Sequence, residues 1–175
     1  MVEISVTIRR ANNADLPFVM ATERTPGFEQ FIGQWNEQKH RSALASAAAA
    51  YFVGSRSASQ LDGFAIVLNT DDPHGNVFLK RVAVRRPNHG FGTPFLRSVV
   101  RRVFEYTEAY RFWLDVLDNN DRALHVYRKI GFLEEGVMRK AWRFADGTRR
   151  DLILMSLLRP EWVGDRSVGD KTRNR

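Results

Sequence analysis

The stretch VFLKRVAVRRPNHGFGTPFL, residues 77–96, decides the reading of this chain. An apolar, strand-like run ends in Arg85 and Arg86, passes through a loop with Gly90 and Gly92, and opens an amphipathic helix. On that helix Leu96, Val99, Val100, Val103 and Phe104 form one apolar stripe, with Arg97, Arg101 and Arg102 on the other side. A strand-to-helix turn of this kind gathers backbone N–H groups at the positive end of a helix dipole, a place for a phosphate and here a pyrophosphate. The glycines alone do not say which ligand. The third position of a dinucleotide fingerprint falls on Phe95, and the Gly-Lys-Ser/Thr of a Walker loop is absent. Glycines that merely tighten the turn are the competing reading.

Strand and helix patterns alternate around this segment. Residues 2–8 alternate apolar and polar side chains, as a half-buried strand does. Asn12 or Asn13 is placed to cap a helix running through Asp15 to about Glu23, with Pro17 in its first turn. Thr25-Pro26-Gly27 breaks it, and residues 28–50 read as a second helix ending in an alanine run, with Phe28, Phe31 and Trp35 as an aromatic stripe. Residues 51–55 and 63–68 predict a hairpin, and the strand at 76–84 follows a turn at 71–75. The glycine-loop helix extends to about Tyr106, and a short strand spans 112–117. Asp118 or Asn119 is expected to cap a helix bearing Ala123, Val126, Tyr127 and Ile130, which Gly131 ends. Strands at 133–144 and 149–157 meet at a turn containing Asp146 and Gly147. The pattern predicts an α/β or α+β sandwich around a mixed sheet, a single domain over residues 1–162, and a polar, disordered tail at 163–175.

Composition sets the bounds. A chain of 175 residues, 43% hydrophobic, suffices for one domain with a core. The net charge of +7 favours polyanions: nucleic acid, acidic membrane or a phosphorylated cofactor. Without cysteine there are no disulfides, thiolate nucleophiles or cysteine-based zinc sites. His40 and His74 stand apart in the sequence, so no metal site is expected. No apolar run is long enough to cross a membrane, and MVEISVTIRR lacks the signal-peptide pattern, so a cytoplasmic location is expected.

The downstream segment NNDRALHVYRKIGF, residues 119–132, gives the glycine loop its context. Together the two resemble the GCN5-related N-acetyltransferase (GNAT) superfamily. The family's loop, roughly Arg/Gln-x-x-Gly-x-Gly/Ala, falls on residues 87–92, with Pro87 at its head and the arginines one and two places earlier. Its later signature, roughly Asn-x-x-Ala-x-x-x-Tyr-x-x-x-Gly-Phe, falls on residues 120–132, complete in spacing and type. The ending, residues 131–158, looks like the branch with ribosomal-protein N-terminal, polyamine and antibiotic acetyltransferases.

The resemblance implies a mixed, mostly antiparallel central sheet flanked by helices and splayed between its fourth and fifth strands. It implies acetyl-CoA as co-substrate and direct acetyl transfer to a primary amine, on a peptide N-terminus or a small molecule. It assigns pairing with the pantetheine arm to the backbone of Arg81, Val82, Ala83 and Val84, the pyrophosphate to Asn88, His89, Gly90, Phe91, Gly92 and Thr93, and a further contact with that arm to Asn120. Tyr127 is the acid that protonates the leaving thiolate. Glu23, Glu29 and Asp115 are the base candidates, and a water relay without a base is the alternative. Trp142 is placed to line the cleft, whereas His125 is expected on the surface. No Gly-x-Ser-x-Gly elbow offers an acyl-enzyme route. The rival readings are a non-catalytic acyl-CoA sensor, which Pro87 favours, and a basic RNA- or ribosome-associated protein using Arg97, Arg101, Arg102 and Arg111. Neither membrane nor nucleic acid is the expected partner, and a homodimer is left open.

Overall fold

The computed structural model describes residues 6–58 and 60–162. Strands β1 (Thr7–Arg10), β2 (Ala49–Ser55), β3 (Gly63–Leu68), β4 (Asn76–Val84), β5 (Arg111–Leu117), β6 (Leu133–Arg143) and β7 (Arg149–Leu158) form one sheet in the order β1-β2-β3-β4-β5-β7-β6. Helices α1 (Leu16–Glu23) and α2 (Glu37–Ala45) pack with one face, and α3 (Gly92–Tyr106) and α4 (Asp121–Ile130) with the other. Every neighbouring pair of strands is antiparallel except β4 and β5. This is the mixed, mostly antiparallel sheet that the resemblance implies, splayed where it places the opening.

Two irregularities position the site. The parallel β4–β5 pairing covers only Asn76–Arg111, Val77–Phe112 and Phe78–Trp113, after which the strands part. In addition, β4 bulges at Lys80: Arg81 opposes Ile66 while Leu79 opposes Val67. One extra residue reverses which side chains face which side of the sheet. Before the bulge Val77 and Leu79 join the core under α3 and α4; after it Val82 and Val84 do so, while Arg81 and Ala83 turn to the α1–α2 face.

The apolar stripe of α3 is buried at all five positions, stacked with Phe95 and Phe91 in the larger core. Gly54 on β2 makes room for them: a Cβ there would lie 2.5 Å from two ring atoms of Phe95. Replacing Gly54 with Ala is therefore expected to destabilise the fold by about 1–3 kcal/mol through overpacking. A lowered thermal midpoint without loss of secondary structure would be the readout.

Several expectations need correction. Residues 28–50 are not one helix. A turn at 29–31 and irregular backbone to 35 follow α1, Asn36 caps α2 by accepting from Lys39 N–H at 2.8 Å, and Ala49 and Ala50 belong to β2. Alanine's helix propensity is a weak preference, and burial in a sheet overrides it. Phe28, Phe31 and Trp35 consequently share no helical stripe. The first strand is Thr7–Arg10, and residues 2–5 of the expected one lie outside the described residues, as do those of the tail at 163–175. Asn120, rather than Asp118 or Asn119, caps α4 through its side-chain oxygen, 3.2 Å from Ala123 N–H. Gly131 ends α4 at φ +119°, as expected of a C′ glycine.

Candidate active site

Where β4 and β5 part, a cavity of about 640 Å³ runs through the sheet. Its wall on the α3–α4 side includes Val82, Val84, Pro87, Asn88, Gly90, Gly92, Thr93, Asn120 and Val126. On the α1–α2 side Phe28, Phe31, Ile32, Gly33, Arg81 and Trp142 close it. Beside the point of parting stand Lys80, Asp115 and Tyr127.

From Leu79 to Val84, β4 has no strand partner on its β5 side. The Arg85 N–H donates to Asp62 C=O at 2.7 Å on the β3 side, so alternation along the strand turns the N–H and C=O of Val84 and Val82 toward the cavity. The loop that follows turns sharply through two left-handed residues, Asn88 (φ +65°) and Gly90 (φ +77°). Asparagine and glycine are the residues that tolerate this region best. No side chain caps α3; its N-cap is Phe91, and the N–H groups of Gly92 and Thr93 precede the first helical bond, from Phe95 N–H to Phe91 C=O. An uncapped helix start of this kind leaves N–H groups free in a geometry that suits an anion. Pro87 lines the cavity.

Burial raises the pKa of Tyr127 above the ordinary phenol range, and the Asp115 carboxylate raises it further. The hydroxyl is therefore a proton donor at neutral pH. Burial also raises the pKa of Asp115, an effect that the Lys80 ammonium opposes.

The structure brings together Val82, Ala83, Val84, Asn88, Gly90, Gly92, Thr93, Asn120, Asp115 and Tyr127 on one cavity. Four expectations are corrected. His89 is exposed and off the cavity wall, because the left-handed turn at Asn88 carries it outward. The Phe91 ring is buried in the core, so only its backbone is near the anion site. Glu29 is exposed, accepts from Gly27 N–H at 2.7 Å and does not line the cavity. Glu23 is fully buried: Arg81 donates to one carboxylate oxygen, and His40 Nε2 lies 3.1 Å from the other. His40 Nδ1 lies 3.2 Å from the Tyr51 hydroxyl, and one tautomer satisfies both contacts. Burial pushes the Tyr51 pKa up to about 12, so its O–H remains a donor. Glu23 is thus consumed in a network, and His40 is part of that network rather than isolated.

Lys80 and the side chain of Arg81 were missed as parts of the site. Their signal was two adjacent cations inside an otherwise apolar strand. His125 is exposed, as expected, yet stands at the cavity rim.

A sheet opened between parallel neighbours, with free strand backbone leading to an uncapped helix start, is the architecture of the N-acetyltransferase class. The chain belongs to the Acetyltransferase (GNAT) family, whose sequence pattern it matches over residues 17–132. It is 34% identical over 77 residues to YdaF of Bacillus subtilis (strain 168), named provisionally as a ribosomal N-acetyltransferase, over 44% of this chain and 42% of that one. It is 25% identical over 88 residues to the spermine/spermidine N(1)-acetyltransferase of the same strain, over 49% of this chain and 58% of that one. The chain thus spans about half the length of these curated relatives. Its fold is similar to the Vibrio cholerae spermidine N-acetyltransferase solved with CoA and spermine, with a TM-score of 0.80 at 19% identity over 89% of this chain and 96% of that one. It is likewise similar to the Escherichia coli ribosomal-protein-S18-alanine N-acetyltransferase, with a TM-score of 0.71 at 23% identity over 88% and 94% of the two chains.

Proposed function

We propose that this protein transfers an acetyl group from acetyl-CoA directly to a primary amine. The observation that carries this reading is the run of unpaired β4 backbone, Leu79 to Val84, which leads from Asp115 and Tyr127 to the uncapped start of α3. Acetyl-CoA, when bound, supplies an activated acetyl thioester. The chain offers matching groups along its length: N–H groups of the loop and α3 for the pyrophosphate, and the Val82 and Val84 backbone for the pantetheine arm. Asn120 spends its carbonyl oxygen on the α4 cap, leaving its NH₂ as the group available to that arm.

The Val82 N–H polarises the thioester carbonyl. Asp115 takes the proton of the attacking amine, directly or through water, and Tyr127 donates its proton to the departing sulfur. The cavity walls on the α1–α2 side orient the amine and exclude bulk water. Of the α3 arginines, Arg97 and Arg101 lie on the solvated face opposite the buried stripe, and Arg102 packs its guanidinium over Tyr106 at 5.2 Å.

The base role predicts a pH signature. Asp115 acts only when ionised, and its pKa is raised, so activity should fall with acidification at a higher pH than an ordinary carboxylate of about 3.9 would give. Asp115→Asn should remove that limb and lower kcat by about 10- to 100-fold. An acetylation assay across pH with both proteins checks this, and an unchanged profile in the variant would reassign the base to water.

A further inference from the structure

The second half of β4 has two registers open to it against β3. The first half is fixed by the turn between the strands, where the Asp72 carboxylate accepts from the His74 and Asn76 N–H groups, and Leu68 opposes Phe78 while Val67 opposes Leu79. Continued without a bulge, the strand would set Lys80 opposite Ile66, Arg81 opposite Ala65 and Val82 opposite Phe64. The bulge instead sets Arg81 opposite Ile66 and Val82 opposite Ala65. Apolar residues of β4 discriminate little between the two, because Phe64 and Ile66 belong to one core and Ala65 to the other. Arg81 discriminates strongly. Opposite Ala65 it would enter the core under α3 among apolar side chains, where an unpaired cation is costly. Opposite Ile66 it is 6% exposed and its Nη1 donates to Glu23. His40 holds the other oxygen of Glu23 at 3.1 Å and links it to Tyr51, and the Arg81 guanidinium carbon sits 4.8 Å from the centre of the Trp35 ring.

We propose that Arg81, anchored by Glu23, locks the register of β4, and that the two are positioning residues for the transfer. This inference rests on the acetyltransferase reading above. Glu23 gives the Arg81 charge a place on one face of the sheet, and the core under α3 denies it a place on the other. The hydrogen-bonding groups of successive strand residues point to alternate sides. In the bulged register Arg85 and, by alternation, Ala83 and Arg81 turn theirs to β3, which leaves those of Val82 and Val84 for the cofactor. In the regular register Val82 would oppose Phe64 and spend its N–H on β3, so the donor to the thioester carbonyl would be lost. A buried ion pair adds little net stability, yet it penalises any arrangement that separates it, and fixing a register is the best-attested use of such polar groups. Lys80 would stand opposite Ile66 in the regular register, where Arg81 now stands, and could take the Glu23 carboxylate. Removing the Arg81 charge should therefore release the strand.

Amide hydrogen exchange of the full chain, read residue by residue by NMR without cofactor, tests the register directly. In the wild type the Ala83 N–H should be protected and the Val82 N–H should exchange at least about tenfold faster. R81M should reverse that order. It should also lower kcat by about a hundredfold, as loss of one preorganised donor does, on whichever of spermidine, Ala-Ala dipeptide and kanamycin the wild type acetylates. R81K keeps a charge that the core under α3 rejects, so it should retain the wild-type exchange order and a kcat within about tenfold. E23Q/R81M leaves neither buried charge and should narrow or reverse the difference between the two amides, which keeps the proposal testable if R81M does not fold. A merely structural role would lower the thermal midpoint and leave the exchange order in place. An unchanged order in R81M and in the double variant, a reversed order in R81K, or a reversed order in R81M with unchanged kcat would overturn the inference. A wild type that acetylates none of the three amines, with the order reversing as described, would count against the acetyltransferase reading and leave the lock standing.

Discussion

Tyr127→Phe should lower kcat by about 10²–10³-fold while acetyl-CoA affinity stays within about twofold. The substitution removes one oxygen from a side chain that is 8% exposed, so the ring remains packed edge-on against Phe132. Only the proton donor is lost. Burial and the nearby Asp115 charge keep the phenol protonated, which is the state an acid needs before it acts. The loss should be greatest at high pH, where solvent supplies protons least readily. A variant with unchanged kcat would mean that Tyr127 is a core residue that merely borders the cavity.

Glu23→Ala should destabilise the protein by about 3–5 kcal/mol, the usual result of leaving one partner of a buried ion pair alone. Arg81 would keep its charge at a site nearly closed to water, and His40 would lose the acceptor for its Nε2–H. Thermal unfolding measures this, with a fall of about 2–4 °C for each kcal/mol at this chain length. E23Q/R81M should recover most of the loss, because the pair's net contribution is small even where breaking it is expensive. A double variant as unstable as the single one would show that His40 and Tyr51, rather than the ion pair, depend on Glu23.

The parts of the fold legible in the sequence were those written locally. The strand at Asn76–Val84, the helix Gly92–Tyr106 with its five buried stripe residues, and the glycine stop at Gly131 all follow from periodicity and turn chemistry over a few residues. Residues 28–50 misled because an alanine run favours a helix intrinsically, while pairing with Leu68 and Val67 of β3 draws Ala49 and Ala50 into β2. The bulge at Lys80 could not be read at all: register belongs to the pairing with β3, and nothing in β4 alone specifies it. The Glu23–Arg81 pair spans 58 positions and leaves no periodic trace. One local hint existed, since Glu23 continues the Leu16–Val19 stripe of α1 at helical spacing and was therefore bound to point inward. The site divides in the same way. The loop, Asn120 and Tyr127 carry motifs, whereas the α1–α2 end of the cavity is assembled from a loop, a bulged strand and a hairpin, each without a motif of its own.

Calorimetric titration of acetyl-CoA and free CoA into the wild type and Gly92→Glu measures cofactor binding at the start of α3. Gly92 has no positive φ, and a Cβ there would meet Val84 at an ordinary 3.8 Å. An acidic side chain in the first turn of α3 favours the helix, so the fold should persist while a carboxylate occupies the anion site. The expected result is micromolar binding of both ligands to the wild type, weakened by about a hundredfold or more in the variant through like-charge repulsion. Binding of neither ligand to the wild type, or equal binding to both proteins, would contradict it.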